Sequence, residues 1–214
     1  MALADVLPMF LQKPLTVPEE KLVPRDVTPV DTKNLSIPKV ASPVNKKLAP
    51  GPATTEDSTP SSLPAKYKSY VPFENALRDS TITNPQARMA VIAQMGFESG
   101  WKVPNDNNYG NIISGEAWDG PTTIKPDKDA NGKPITQAFR TYKSPAHFVG
   151  DYTSLLKKQY PDAYKELTSP DFDIHRFTSG LQDGKFQYAQ DRKYKQKIEE
   201  QYNELSSDIS RNKQ

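Results

Sequence analysis

The chain's 214 residues include 20 prolines, 10 glycines, two histidines and no cysteine, and 28 Lys/Arg against 26 Asp/Glu leave a net charge of +2. Without cysteine there is no disulfide framework, no thiolate zinc site and no cysteine nucleophile, and His147 and His175 are too few for a histidine-based metal centre unless carboxylates complete it; no metal or other cofactor is expected. Residues 70–214 carry 19 basic and 19 acidic side chains, which gives no electrostatic reason to expect nucleic acid; no apolar run approaches the roughly 18 residues that would span a bilayer.

Proline and aromatic residues divide the chain. Twelve prolines lie between Pro8 and Pro72, whereas Phe10 is the only aromatic before Tyr67 and 19 follow. So few large apolar side chains cannot offset the ordering entropy of the first 69 residues. Residues 1–69 therefore read as an extended proline-rich tail, and residues 70–214 as one domain of a size that supports a single core. Frequent proline favours polyproline II conformations, leaving two readings for the tail: a stiff linker, or an anchor that orders on a partner's surface. Leu3, Val6, Leu7, Met9, Phe10 and Leu11 are its apolar handles. The opening MALADVLPMFLQKPL has no basic start, an early Asp5, and Pro8 and Pro14 inside its apolar stretch. That makes a poor secretory signal, so delivery by a route other than a standard cleaved signal is expected.

Helical periodicity begins near Val71. Asn84-Pro85 supplies a capping side chain followed by proline at the first helical position; the run to Ser99 puts Met89, Ile92, Met95 and Gly96 on one stripe, and Gly100 is placed to end it. Asn131-Gly132 is a hairpin-turn signal, with PTTIK before it and ITQAFRTY after it as short strands. Ser144-Pro145 opens a second helix with Phe148, Tyr152, Leu155 and Leu156 at core spacing. A third starts at Ser169-Pro170 or Asp173, around Phe177 and Leu181. Asp191 caps a fourth, in which Tyr194, Ile198, Tyr202, Leu205 and Ile209 recur on one face. The expected fold is mainly α, with a small β-hairpin lobe inserted after one long helix.

Glu98 stands out chemically. It falls in the last turn of an otherwise apolar helix, with Val91, Gln94 and Met95 on its side. Burial and the negative end of the helix dipole both raise a carboxyl's pKa there. A carboxyl kept protonated near neutral pH can serve as a general acid; the competing reading is a solvated terminal glutamate.

The surrounding order of motifs selects between them. AQMGFESGW at 93–101 is followed by Asn107-Asn108-Tyr109-Gly110-Asn111-Ile112, then Trp118-Asp119-Gly120, AFRTYKS at 138–144, Phe148 and Asp151-Tyr152. Gly180-Leu181-Gln182, Tyr188-Ala189-Gln190-Asp191, Tyr194 and Lys197-Ile198 complete the set. From about Gln86 to Ile198 this resembles the bacterial N-acetylglucosaminidases of glycoside hydrolase family 73, which include a flagellar-rod peptidoglycan hydrolase domain, autolysins and phage lysins. The resemblance implies a lysozyme-like α domain with a small β lobe. It also implies that Glu98 is the catalytic acid, that Asn108, Tyr109 and Gly110 form a substrate-binding segment, and that Tyr188 lines the cleft near the acid. Trp101 and Trp118 have two readings, as platforms for sugar faces or as core residues.

One departure bears on mechanism. Many members of that family carry a second acid in a Thr-x-Glu segment of the β lobe; here the stretch reads Thr122-Thr123-Ile124-Lys125-Pro126-Asp127-Lys128-Asp129. Asp127 and Asp129 are the nearest carboxylates, and turn-forming aspartates are an equal reading. Three routes stay open: an aspartate activating water with inversion, a closer carboxylate as nucleophile with retention, or attack by the substrate's own 2-acetamido group. The missing glutamate favours the third.

The expected function is hydrolysis of the N-acetylglucosaminyl bond in peptidoglycan glycan strands. Two alternatives remain: a muramidase or lytic transglycosylase of the same fold, and a structural virion protein whose domain binds glycan without cutting it. The expected setting is a phage virion whose tail or baseplate proteins hold residues 1–69 and deliver the domain to the wall.

Overall fold

The computed structural model describes residues 61–115, 117–128, 132–189 and 191–212. Asp129 and most of the proline-rich tail lie outside them.

A 3-10 turn at Ala65–Tyr70 leads into six helices: α1 (Val71–Arg78), α2 (Pro85–Ser99), α3 (Pro145–Gln159), α4 (Pro161–Leu167), α5 (Ile174–Gln182) and α6 (Tyr194–Asn212). Strands β1 (Thr122–Lys128) and β2 (Pro134–Arg140) stand between α2 and α3. They pair antiparallel from Thr122 opposite Arg140 to Lys128 opposite Pro134. The architecture is the lysozyme-like one expected, mostly helical with one hairpin.

The caps explain the helix boundaries. Asn84 Oδ1 accepts the Gln86 and Ala87 N–H groups at 2.8 and 3.4 Å, satisfying donors that the first turn leaves free. Ser144 caps α3 through the His147 N–H at 3.2 Å. Of the two starts open for the third predicted helix, Asp173 is the cap of α5, accepting the Arg176 N–H at 2.8 Å. Asp191 Oδ1 accepts the Lys193 N–H at 2.8 Å, just ahead of α6. At the far end of α2, Gly100 takes a left-handed φ of 61°. The Trp101 N–H returns to Gly96 O at 2.8 Å and the Gly100 N–H to Phe97 O at 3.3 Å, the paired closure of a Schellman motif.

Helix α2 is more enclosed than a single stripe suggests. Ala87, Ala90, Val91, Ile92, Ala93, Gln94, Met95, Gly96 and Glu98 are all buried, so it runs through the core rather than along its surface. A Cβ at Gly96 would lie 2.6 Å from the Trp101 ring; only glycine lets the indole lie against the helix. Around α2 the core is unusually aromatic. Phe73 stacks on Tyr109 at 4.4 Å between centroids, and Phe148 on Tyr152 at 5.9 Å.

The packing begins before α1. Leu63 and Tyr67 are buried. Ser62 Oγ and N–H reach Glu74 Oε1 at 2.8 and 3.3 Å, Ser61 Oγ donates to Glu74 Oε2, and Arg78 Nη2 donates to Oε1 at 2.8 Å.

The hairpin is tied down at its base. Phe139 is buried, Ile113 pairs with it as an isolated bridge, and Asp151 of α3 accepts from Arg140 Nη1 and the Tyr142 hydroxyl, both at 2.7 Å. Because facing residues of an antiparallel pair share a side, Asp127, Lys125 and Phe139 lie on one face, and Ile124, 65% exposed, lies on the other.

Candidate active site

Glu98 is 3% exposed, in the final turn of α2. The Tyr194 hydroxyl donates to Oε1 at 2.6 Å, while Oε2 has no hydrogen-bond partner among the described residues. Burial pushes its pKa up to about 8, with the Tyr194 hydrogen bond pulling the other way. One neutral donor is too little to offset the desolvation of a carboxylate. Near neutral pH this group is therefore a protonated acid, with one oxygen held and the other uncommitted. Unsatisfied buried polar atoms are rare, and catalytic roles are among their recognised causes.

In the sequence Gln94 is a neighbour of Glu98 on α2, and Tyr152 and Tyr194 fall at core spacing. Gln94, fully buried one turn before Glu98, donates from Nε2 to the Tyr194 hydroxyl at 2.9 Å. Tyr152 of α3 donates to Gln94 Oε1 at 2.6 Å. Burial raises the Tyr152, Tyr188 and Tyr194 hydroxyls well above the ordinary phenol value, and the nearby Glu98 charge adds to it in each case. The acid thus sits among neutral phenols contributed by α3, α6 and the segment between α5 and α6. A glutamine next to an apolar stripe was the one available signal for this network.

The structure brings together Glu98, Tyr188 and Gly110. Tyr188 is stacked 5.8 Å from Tyr194 between centroids, and a Cβ on Gly110 would sit 3.2 Å from both the Tyr188 hydroxyl and Met95 Sδ. Glycine is what allows the 101–111 loop to close over these side chains. Asn111, at a left-handed φ of 48°, donates from Nδ2 to the Glu98 carbonyl at 2.9 Å, tying the same loop to the backbone of the acid.

Other expected contacts spend their side chains on the fold. Asn108 is fully buried; its Nδ2 donates to Ile112 O at 3.0 Å and Arg140 O at 2.8 Å, and its Oδ1 accepts the Ile112 N–H at 2.8 Å. That uses both amide donors, so Asn108 shapes the segment rather than presenting its amide. Tyr109 is 1% exposed between Phe73, Phe148 and Tyr70. Trp101 holds a left-handed φ of 60°, packs 4.3 Å from Tyr67 between centroids and donates from Nε1 to Gln201 at 2.9 Å. Its indole is partly buried against the core. Trp118 lies against Tyr142 at the base of the hairpin, with the Arg140 guanidinium 4.8 Å from its ring.

Asp127 is on β1, opposite Ile135, on the face shared with Lys125. Lys125 Nζ pairs with Asp106 at 2.7 Å, which links that face to the loop following α2. Among the described residues, no group of three or more His, Asp or Glu could hold a metal ion, and no helix is long and apolar enough to cross a membrane.

A helical domain with an inserted hairpin and a buried, protonated glutamate at the end of its central helix has the makings of a glycoside hydrolase. The chain matches the glucosaminidase family, described as mannosyl-glycoprotein endo-beta-N-acetylglucosaminidase, over residues 74–207, and it belongs to that family. Among solved structures it is similar to the glycoside hydrolase domain of Salmonella typhimurium FlgJ, with 21% identity, 69% of this chain and 92% of that one covered, and a TM-score of 0.50. It is also similar to a peptidoglycan hydrolase from Sphingomonas sp. A1, with 24% identity, 66% and 89% coverage and a TM-score of 0.49. The catalytic domain of the autolysin Auto from Listeria monocytogenes aligns at 17% identity, 69% and 89% coverage and a TM-score of 0.48. No curated protein sequence matches the chain.

Proposed function

We propose that the protein hydrolyses the N-acetylglucosaminyl bond of peptidoglycan glycan strands, with Glu98 as proton donor. The observation that carries this reading is the state of Glu98: buried, its pKa raised to about 8, and with Oε2 making no hydrogen bond among the described residues. In the reaction Oε2 gives its proton to the glycosidic oxygen as the bond to the anomeric carbon breaks. The carbonyl oxygen of the sugar's 2-acetamido group attacks that carbon and forms a cyclic intermediate. Water then opens the ring and returns a proton to Glu98, which restores the acid. Two observations favour substrate assistance over a second carboxylate: Glu98 is surrounded by phenols, and the β1 segment has no glutamate. Asp127 and Asp129 remain the candidates if water is instead activated directly, which would invert the anomeric centre.

The test is digestion of purified peptidoglycan by the wild type and Glu98→Gln. A reducing-end N-acetylglucosamine with retained anomeric configuration is expected from the wild type, and no clearing from the variant. A reducing N-acetylmuramic acid would assign a muramidase, an anhydro end a transglycosylase, and an active Glu98→Gln would remove the acid from the mechanism.

The same reading extends to delivery. The proline-rich, aromatic-poor composition of residues 1–69, with apolar handles from Leu3 to Leu11, suits a segment that orders on a partner. We assign that partner to the tail or baseplate of a phage particle, where the domain would open the wall for genome entry. Purified particles should contain the protein and lose it when residues 1–15 are deleted; its retention after deletion would refute this docking.

A further inference from the structure

The hydrogen bonds running into Glu98 have a direction. Each bond constrains the next because the partners differ in what they can give. An amide oxygen only accepts, an amide nitrogen only donates, and a phenol has one proton. The Tyr152 proton goes to Gln94 Oε1 at 2.6 Å. This turns Gln94 Nε2 toward Tyr194, whose oxygen receives it at 2.9 Å. The Tyr194 proton must then point away from Gln94, and it goes to Glu98 Oε1 at 2.6 Å. Oε1 is thereby an acceptor, so the carboxyl proton resides on Oε2, the oxygen without a partner among the described residues.

With the Gln94 amide turned over, every bond would reverse. Oε1 would face Tyr194 and take its proton. Glu98 would then donate inward from Oε1, leaving on Oε2 no proton to give. The two arrangements contain the same number of hydrogen bonds and differ only in direction, so the groups farthest from the acid decide between them.

We propose that Gln94 and Tyr152 are positioning residues that set this direction and hold the transferable proton of Glu98 on Oε2, the oxygen with no hydrogen-bond partner among the described residues. The inference rests on Glu98 being the acid. Its members come from separate helices, with Gln94 and Glu98 on α2, Tyr152 on α3 and Tyr194 on α6. Gln94 and Tyr152 are fully buried and Tyr194 nearly so, so water does not compete for these bonds. The titratable groups acting on Glu98 from the packed elements are Tyr152, Tyr188 and Tyr194, all neutral; Asn111 meets only its main chain.

The test is Tyr152→Phe, which keeps the ring stacked on Phe148 and removes the proton that orients the amide. On soluble glycan-strand fragments kcat should fall about two- to tenfold, the range of one hydrogen bond, with KM unchanged. The alkaline limb of the kcat–pH profile should move to higher pH, because the carboxylate form loses part of its Tyr194 donor. Gln94→Leu should shift it the same way, and Tyr194→Phe should shift it further. Tyr164→Phe, outside the network, should match the wild type. A folded Tyr152→Phe protein with wild-type kcat and an unmoved limb would overturn the proposal. So would a loss of kcat that tracks a lowered Tm and leaves the limb in place. Glu98→Gln measured in parallel separates the two levels: if it stays active, the acid reading fails; if it is inactive while Tyr152→Phe is unchanged, only the directional role fails.

Discussion

Glu74 and Glu98 are the same residue type, both on helices and almost equally buried, at 4% and 3% exposure, yet they are in opposite charge states. At the start of the domain, burial works against the Glu74 carboxylate, but the Ser61 and Ser62 hydroxyls, the Ser62 N–H and the Arg78 guanidinium together hold its pKa below the ordinary value. At the end of α2, burial works against Glu98 in the same way and a single phenol answers it, so the group stays protonated. Burial alone therefore does not make a catalytic acid. The number and charge of the donors around a carboxyl decide whether it becomes a structural anion or a proton source.

Substitutions separate the two roles, and the largest expected effect is on turnover. Glu98→Gln should cost at least about 10²–10⁴-fold in rate, the worth of a general acid, and the folded protein should show it in a turbidity assay. Glu74→Ala should leave turnover of the folded protein near wild type but destabilise it by about 3 kcal/mol, because it removes the buried carboxylate that accepts from the Arg78 guanidinium and from the Ser61 and Ser62 hydroxyls; a urea titration measures this. Comparable activity losses in both variants would erase the distinction.

The pH dependence of stability should differ in sign. Glu98, raised from 4.5 to about 8, contributes stability that is full below about pH 4.5 and is lost as the pH rises through about 8. Over that window it should slope by up to about 1.4 kcal/mol per pH unit. Glu74, lowered from 4.5, contributes stability above that value and loses it as the pH falls through its folded value. Glu98→Gln should consequently raise Tm more at pH 8 than at pH 5, and Glu74→Gln should flatten the acid side; calorimetry across pH 3–9 reads both. The smallest effect expected is that of Asp127→Asn, within about threefold of wild-type turnover if the substrate assists itself. A loss of about 10²-fold would instead identify Asp127 as a base.

What was legible in the sequence follows the reach of the chemistry. Asn84, Ser144 and Asp173 cap helices through N–H groups two or three residues away, so their boundaries are local information. Helix α4 has no side-chain cap and only seven residues, and it left no such mark. The apolar neighbours of Glu98 are in its own helix and mark it as a candidate, and the ordered motifs around AQMGFESGW select the acid reading. Its hydrogen-bond network was not, since Gln94 lies 58 positions from Tyr152 and 100 from Tyr194, and both tyrosines fall at spacings that also describe ordinary core residues. The Asn108-Tyr109 segment was recognised as a motif, but no sequence pattern tells which way its side chains turn. There the fold had the stronger claim on them.

The bond from Tyr194 to Glu98 spans 96 positions, and Trp101 reaches Gln201 across 100. The last helix therefore completes a site whose acid is on the second. As the chain leaves the ribosome, Glu98 emerges long before α6, and until that helix docks it is an ordinary solvated carboxylate, charged at neutral pH. Its raised pKa is acquired only when contacts of long sequence separation, a slow kind to form, are made. The protonated state of Glu98 is thus a late event of folding, and a chain halted before Tyr194 would carry the motif without it.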